Sequence, residues 1–188
     1  SGDVSDAAES VITGQNEGDR FGATLDVGDL NGDGTNDVAI GAPYQTTRIG
    51  RVHVISGTAF ASGTAAVSSV SYADFIGGTT FGFAGTAVAS GGDVNGDGSD
   101  DLVVGGPGDS SAGGGAGAVW IEVSGRVGSR ALADADVSFM GGSEDDFAGM
   151  AVGLDDIDGD GRADAVLGVP GEDNLGNEGA VYIGYSGW

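Results

Sequence analysis

The stretch Asp29-Leu30-Asn31-Gly32-Asp33-Gly34-Thr35-Asn36-Asp37 decides how this chain is read, because it occurs three times. It returns as Asp93-Val94-Asn95-Gly96-Asp97-Gly98-Ser99-Asp100-Asp101, and again as Asp156-Ile157-Asp158-Gly159-Asp160-Gly161-Arg162-Ala163-Asp164. The copies start 64 and then 63 residues apart. Recurrence at a fixed spacing of this size marks a repeat architecture, in which each unit buries its faces only against its neighbours.

The flanks repeat with the loop. A Phe-Gly element precedes each copy: Phe21-Gly22, Phe83-Ala84-Gly85 and Phe147-Ala148-Gly149. A short apolar run follows and ends in Gly-x-Pro, at Gly41-Ala42-Pro43, Gly105-Gly106-Pro107 and Gly168-Val169-Pro170. A further apolar run spans 50–57, 117–125 and 179–187, and a weaker one spans 9–14, 70–77 and 137–141. All are short, rich in Val and Ile, and bounded by Gly, Asp, Asn or Pro, as strands are. No sustained 3.6-residue apolar period is present, so long helices are not expected.

The expected fold is therefore all-β, with β-propeller blades built from three four-stranded repeats. We name the strands of a repeat A, before the acidic loop, B, after it, then C and D. The expected division is a single unit over 1–188: an orphan D strand in 1–14, repeat 1 over 15–77, repeat 2 over 78–141, and repeat 3 over 142–188 without its D strand. That gives twelve strands, with the N-terminal strand completing the last blade in cis or in trans. An unpaired sheet edge invites association. Two copies forming a six-bladed ring, a distorted three-bladed ring, a filament built by strand donation and a piece of a longer propeller all remain open.

The acidic loops carry the chemistry. Positions 1, 3, 5 and 9 place side-chain oxygens at Asp29, Asn31, Asp33 and Asp37, at Asp93, Asn95, Asp97 and Asp101, and at Asp156, Asp158, Asp160 and Asp164. Position 7 (Thr35, Ser99, Arg162) varies, as it can if it offers only its backbone carbonyl. Glycine at position 6 permits the sharp turn that wraps oxygens around an ion. Position 2 is apolar (Leu30, Val94, Ile157) and is expected to turn into the core. An EF-hand would need a Glu at position 12, but Ile40, Val104 and Leu167 stand there. Hard oxygen donors without His or Cys disfavour zinc, and strict octahedral preference disfavours magnesium. Three calcium ions are expected, one per repeat. Asx turns in ordinary hairpins are the plainer explanation of a single such loop, but three copies keep acids at positions 1, 5 and 9.

Composition fits. The net charge is −23, with 29 acids against 6 basic residues, and 23 of the acids are Asp. Asp favours turns and cation sites over helices; adaptation to high salt is compatible with the same excess. With no Lys and only Arg20, Arg48, Arg51, Arg126, Arg130 and Arg162, no basic patch suits nucleic acid or anionic lipid. No apolar run is long enough to cross a membrane as a helix. There is no Cys, which excludes disulfides and thiolate chemistry.

These residues resemble the FG-GAP repeat of integrin alpha-subunit propellers. The resemblance implies blades with calcium in the loop between the first two strands, held by the residues just numbered at positions 1, 3, 5, 7 and 9, and serving stability. It also implies an extracellular or cell-surface setting. Such propellers commonly have seven blades.

No nucleophile elbow, Walker A or zinc-protease motif occurs, and no enzyme is expected. His53, the single histidine, points opposite to Val52 and Val54 and reads as structural. Glu122 shows no second carboxylate partner for acid–base work. Trp120, Tyr182 and Tyr185 do not form one exposed aromatic per blade and are expected to pack in the core, as are Phe21, Phe83 and Phe147 between blades. The expected function is a self-associating structural or adhesive scaffold, a homo-oligomer, dimer or filament. The alternative is a module that binds an extracellular protein or a glycan.

Overall fold

The computed structural model describes residues 9–60, 62–173 and 179–186. Residues 1–8 of the N-terminal segment and Gly187, which ends the third C run, lie outside the described residues. Among the described residues there are fourteen strands: β1 (Ser10–Thr13), β2 (Thr24–Gly28), β3 (Asp37–Ala42), β4 (Arg51–Ile55), β5 (Gly63–Ala66), β6 (Ser71–Ile76), β7 (Ala87–Gly92), β8 (Asp101–Gly106), β9 (Ala118–Glu122), β10 (Gly128–Ala131), β11 (Val137–Met140), β12 (Ala151–Asp155), β13 (Asp164–Val169) and β14 (Ala180–Gly184). The helices among the described residues are single turns.

Three antiparallel sheets form the blades. Blade 1 is β2-β3-β4-β6, blade 2 is β7-β8-β9-β11 and blade 3 is β12-β13-β14. The A strands β2, β7 and β12 lie side by side as the inner strands. Every residue of β8 and β9 is buried, because blade 2 has a neighbour on each face. Unbroken runs such as Leu102-Val103-Val104 are what two buried faces require. One core cluster fills the space between blades 1 and 2, with Leu30, Val54, Phe75, Leu102, Trp120 and Leu132. A second, with Val103, Ile121, Ala165 and Leu167, joins blades 2 and 3.

The twelve expected strands are all found, and two more were not foreseen. Both extra strands follow a C strand and run parallel to the D strand of the preceding unit: β10 pairs with β6, Gly128 opposite Ala73, and β5 pairs with β1, Gly63 opposite Ser10. Their sequences, Gly-Thr-Ala-Ala and Gly-Ser-Arg-Ala, are short and weakly apolar, so they gave no strand signal. The placement of β1 follows from this symmetry. It stands to β5 as the D strand β6 stands to β10, and it does not join blade 3 within the same chain.

The Phe-Gly elements align differently from the sequence reading. The N–H of Gly22, Gly85 and Gly149 donates to the carbonyl of Gly41, Gly105 and Gly168 respectively, at 3.0–3.1 Å. This bond ties the start of each A strand to the Gly-x-Pro turn and makes those three glycines equivalent. Phe21 therefore matches Ala84 and Ala148, while Phe83 and Phe147 match Arg20. Phe21 packs within blade 1, its ring 5.8 Å from that of His53. Phe83 instead reaches Tyr44 across the blade boundary, at 5.3 Å between ring centres.

Candidate metal centres

Each acidic loop joins an A strand to a B strand, so all three lie at one end of the arc of blades. They share one hydrogen-bond pattern. The N–H of position 5 and of position 6 both donate to the position 1 carboxylate: Asp33 and Gly34 to Asp29, Asp97 and Gly98 to Asp93, Asp160 and Gly161 to Asp156. The position 7 N–H donates to the position 5 carboxylate in Thr35, Ser99 and Arg162, at 2.8–2.9 Å. The backbone thus curls around the carboxylates and holds their oxygens on the inside of the turn. In the third loop, carboxylate oxygens of Asp156, Asp158 and Asp164 come within 4.8 Å of one another. Asn31 and Asn95 take the place of Asp158 in the first two.

Position 9 opens the B strand and is buried in all three copies, at Asp37, Asp101 and Asp164. Its carboxylate staples the loop to the turn after the C strand. Asp101 accepts the N–H of Val94 and of Ser124, and Asp164 accepts those of Ile157 and Ser186, at 2.7–3.0 Å. Asp37 accepts the N–H of Gly57 and the hydroxyl of Tyr72. Burial pushes the Asp101 carboxyl up to about 6, with Asp93 and Asp97 adding to the rise against those two N–H donors. A cation amid these oxygens reverses that cost. Asp97, held by the Asn95 amide and the Ser99 N–H, is lowered instead.

Neighbouring loops are linked. The position 8 N–H of one loop donates to the position 1 carbonyl of the loop before it, Asp100 to Asp29 at 3.1 Å and Ala163 to Asp93 at 2.9 Å. The position 7 side chain lies over the position 4 glycine of that preceding loop. A Cβ on Gly32 would meet Ser99 Oγ at 2.6 Å, and one on Gly96 would meet the Arg162 guanidinium at 3.1 Å. Position 4 is thus glycine for its positive φ and for this close approach. The sequence alone showed only the turn requirement.

At position 2, Leu30 and Val94 enter the core as expected, but Ile157 is 48% exposed. Leu30 and Val94 are covered by the next blade, and no described residue covers Ile157. The same cause corrects the aromatic expectation. Trp120 is buried, whereas Tyr182 and Tyr185 are exposed.

His53 is buried, with Nδ1 2.5 Å from Asp74 Oδ1 and Nε2 2.8 Å from Gln45 Oε1. This is a satisfied structural histidine. Glu122 has a partner that the sequence did not reveal: Arg130 Nη1, on β10, lies 3.0 Å from its Oε2. Burial nevertheless pushes Glu122 up to about 7, with the Arg130 charge opposing the rise. Arg126 and Asp136 extend the cluster at 2.5 Å. It anchors the β10 crossover.

Comparison with known proteins agrees with this frame. Integrin alpha pat-2 of Caenorhabditis briggsae is 39% identical over 97 residues, which is 50% of this chain and 8% of that protein. The chain thus matches only a small part of the length of that relative. The family model described as FG-GAP repeat matches residues 21–55, 84–121 and 148–183. Its three starting positions are the three that the Gly22, Gly85 and Gly149 hydrogen bonds make equivalent. With more than half of its length matched, the chain belongs to the FG-GAP repeat family.

Proposed function

We propose that this chain is a calcium-stabilised, extracellular FG-GAP propeller unit that acts as an adhesive or structural scaffold and associates through its edges. The observation that supports calcium is the shared curl of three linked acidic loops, in which the same N–H groups hold the position 1 carboxylate, with Asp156, Asp158 and Asp164 gathered within 4.8 Å in the third. Without a cation, carboxylates so gathered repel one another. The match to an integrin alpha chain supports the adhesive, cell-surface setting. A binding role accords with the family better than catalysis does, and the one histidine is consumed by structural bonds.

The association rests on two complementary edges. β14 is an edge strand whose Val181, Tyr182 and Ile183 are exposed. In blades 1 and 2 the same edge takes an antiparallel D strand, with Val52 opposite Phe75 and Val119 opposite Phe139. β1 already sits where a D strand belongs relative to β5. Carried over, the register pairs β14 with β1 of a second copy, Val181 opposite Ile12 and Tyr182 opposite Val11.

Light scattering in millimolar calcium tests this. A dimer or larger species that falls to monomer mass in Ile183→Asp is the expected result. A monomer mass for both proteins overturns self-association. It moves to the front the alternative, in which the β14 face meets another repeat, or a protein or glycan ligand.

A further inference from the structure

One group of carboxylates lies outside the acidic loops, at the opposite end of blade 3. Asp146 belongs to the segment leading into β12, and Glu172 and Asp173 follow β13. The two segments are fixed side by side by the Gly149 N–H bond to Gly168 and the Gly171 N–H bond to the Asp146 carbonyl at 2.9 Å. The same backbone pairing recurs as Gly108 to Gly82 and as Tyr44 to Asp19. This place therefore has a counterpart in every repeat.

The counterparts satisfy their polar groups internally. In repeat 2, Asp109 accepts from Thr79 Oγ1 at 2.8 Å and from the Ser111 N–H at 2.9 Å. In repeat 1, Gln45 bonds His53 and Gln15, and Asp19 accepts from Asn16. Repeat 3 differs. Carboxylate oxygens of Asp146, Glu172 and Asp173 lie within 4.8 Å of one another. Asp146 is fully buried, and its Oδ2 accepts the Ser143 N–H at 2.7 Å. Its Oδ1 is also buried but has no hydrogen-bond partner among the described residues. No ion pair among the described residues reaches Asp146. Glu172 is buried too, and accepts from the Tyr182 hydroxyl at 2.8 Å.

A buried carboxylate oxygen left without a donor or counter-charge is strongly unfavourable. Two further carboxylates, of Glu172 and Asp173, approach that of Asp146, and no Lys or Arg pairs with Asp146 among the described residues. Hard, anionic oxygen donors of this kind suit calcium, and neither His nor Cys stands among the three to favour zinc or copper. The site is reachable: Glu172 and Tyr182 line a cleft of about 420 Å³ between blades 2 and 3.

We propose that Asp146, Glu172 and Asp173 hold a further calcium ion, distinct from those of the acidic loops, which clamps the segment before β12 to the turn after β13.

The test counts calcium ions per folded chain by native mass spectrometry and titration calorimetry, with calcium alone as probe. The expected result is four ions for the natural sequence and three for Asp146→Asn. Asp173 is exposed, so Asp173→Asn keeps the fold, and it weakens one site by about tenfold or more while leaving the others unchanged. The combined loop variant Asp33→Asn, Asp97→Asn, Asp160→Asn keeps one ion, which adding Asp173→Asn weakens in turn. Asp173→Asn titrating like the natural sequence overturns the proposal, and so does an ion count unchanged by Asp146→Asn in a folded protein. Three ions insensitive to Asp146→Asn and Asp173→Asn leave the loop reading intact and remove this one. A single ion sensitive to Asp173→Asn does the reverse.

Discussion

Ile121 in blade 2 and Ile183 in blade 3 occupy the same step of the same repeat, yet the first is fully buried and the second is 44% exposed. Val119 and Val181, Trp120 and Tyr182, and Val94 and Ile157 divide in the same way. The B and C strands pair in the same register in the two blades, Val103 opposite Ile121 and Val166 opposite Ile183, although β14 lacks the D strand that β11 gives to β9. What differs is the neighbour. In a repeat protein the core is a property of the interface between units, and a residue becomes core only when the next unit is in place.

The glycines of the Gly-x-Pro turn give the sharpest way to break this comparison. A Cβ on Gly105 would lie 2.1 Å from the carbonyl oxygen of Gly149 in the next blade, whereas one on Gly168 meets nothing closer than 3.3 Å. Gly105→Ala is expected to cost about 4 kcal/mol or more, since backbone must move, and Gly168→Ala about 1 kcal/mol or less, read from denaturant midpoints. Equal losses would mean that blade contact is not what demands glycine there.

The isoleucines come next. Ile121→Ala should cost about 3–4 kcal/mol and Ile183→Ala under about 1 kcal/mol in the monomer, by thermal or chemical melts in calcium. If the β14 edge is covered in an assembly, Ile183→Ala should lower the mass seen by light scattering rather than the melting point of the monomer.

The smallest effect concerns Glu122, whose equivalent in blade 3 is Gly184. Burial raises its carboxyl from the ordinary 4.5 to about 7 in the folded protein. The folded state therefore favours the protonated form. The stability contribution is fully present below about pH 4.5 and is lost as pH rises through 7. Glu122→Gln should be more stable than the natural protein at pH 8, by about 1–2 kcal/mol, and the gain should vanish toward pH 4. A gain that grows toward acid pH would reverse the sign and contradict the account.

Most of the fold was legible because its signals are local. The Asp29 to Asp37 loop and the Gly-x-Pro turn of Gly41-Ala42-Pro43 recur with their spacing, and Val- and Ile-rich runs fall between them, whereas the Phe of the Phe-Gly element shifts by one residue. β5 and β10 were not legible. Their partners β1 and β6 lie more than 50 residues away, and Gly63-Thr64-Ala65-Ala66 has no apolar alternation to report. Nor could the sequence say that Ile157 and Tyr182 are surface residues, since their pattern matches Leu30 and Trp120 and only the missing cover differs. The acidic loops were readable from spacing as turns between the A and B strands. The Asp146, Glu172 and Asp173 group was not, because Asp146 is 26 residues from Glu172 and only the pairing of Gly149 with Gly168 brings them together.

The most direct test of calcium as the agent that holds the blades is thermal unfolding in millimolar calcium and in excess chelator. Ligand that binds only the folded state stabilises by mass action, about 1–3 kcal/mol per site when calcium stands one to two orders of magnitude above its dissociation constant. The account predicts a melting temperature that falls clearly in chelator, with a smaller fall for a protein already carrying Asp33→Asn, Asp97→Asn and Asp160→Asn. Superimposable melting curves with and without calcium would contradict it.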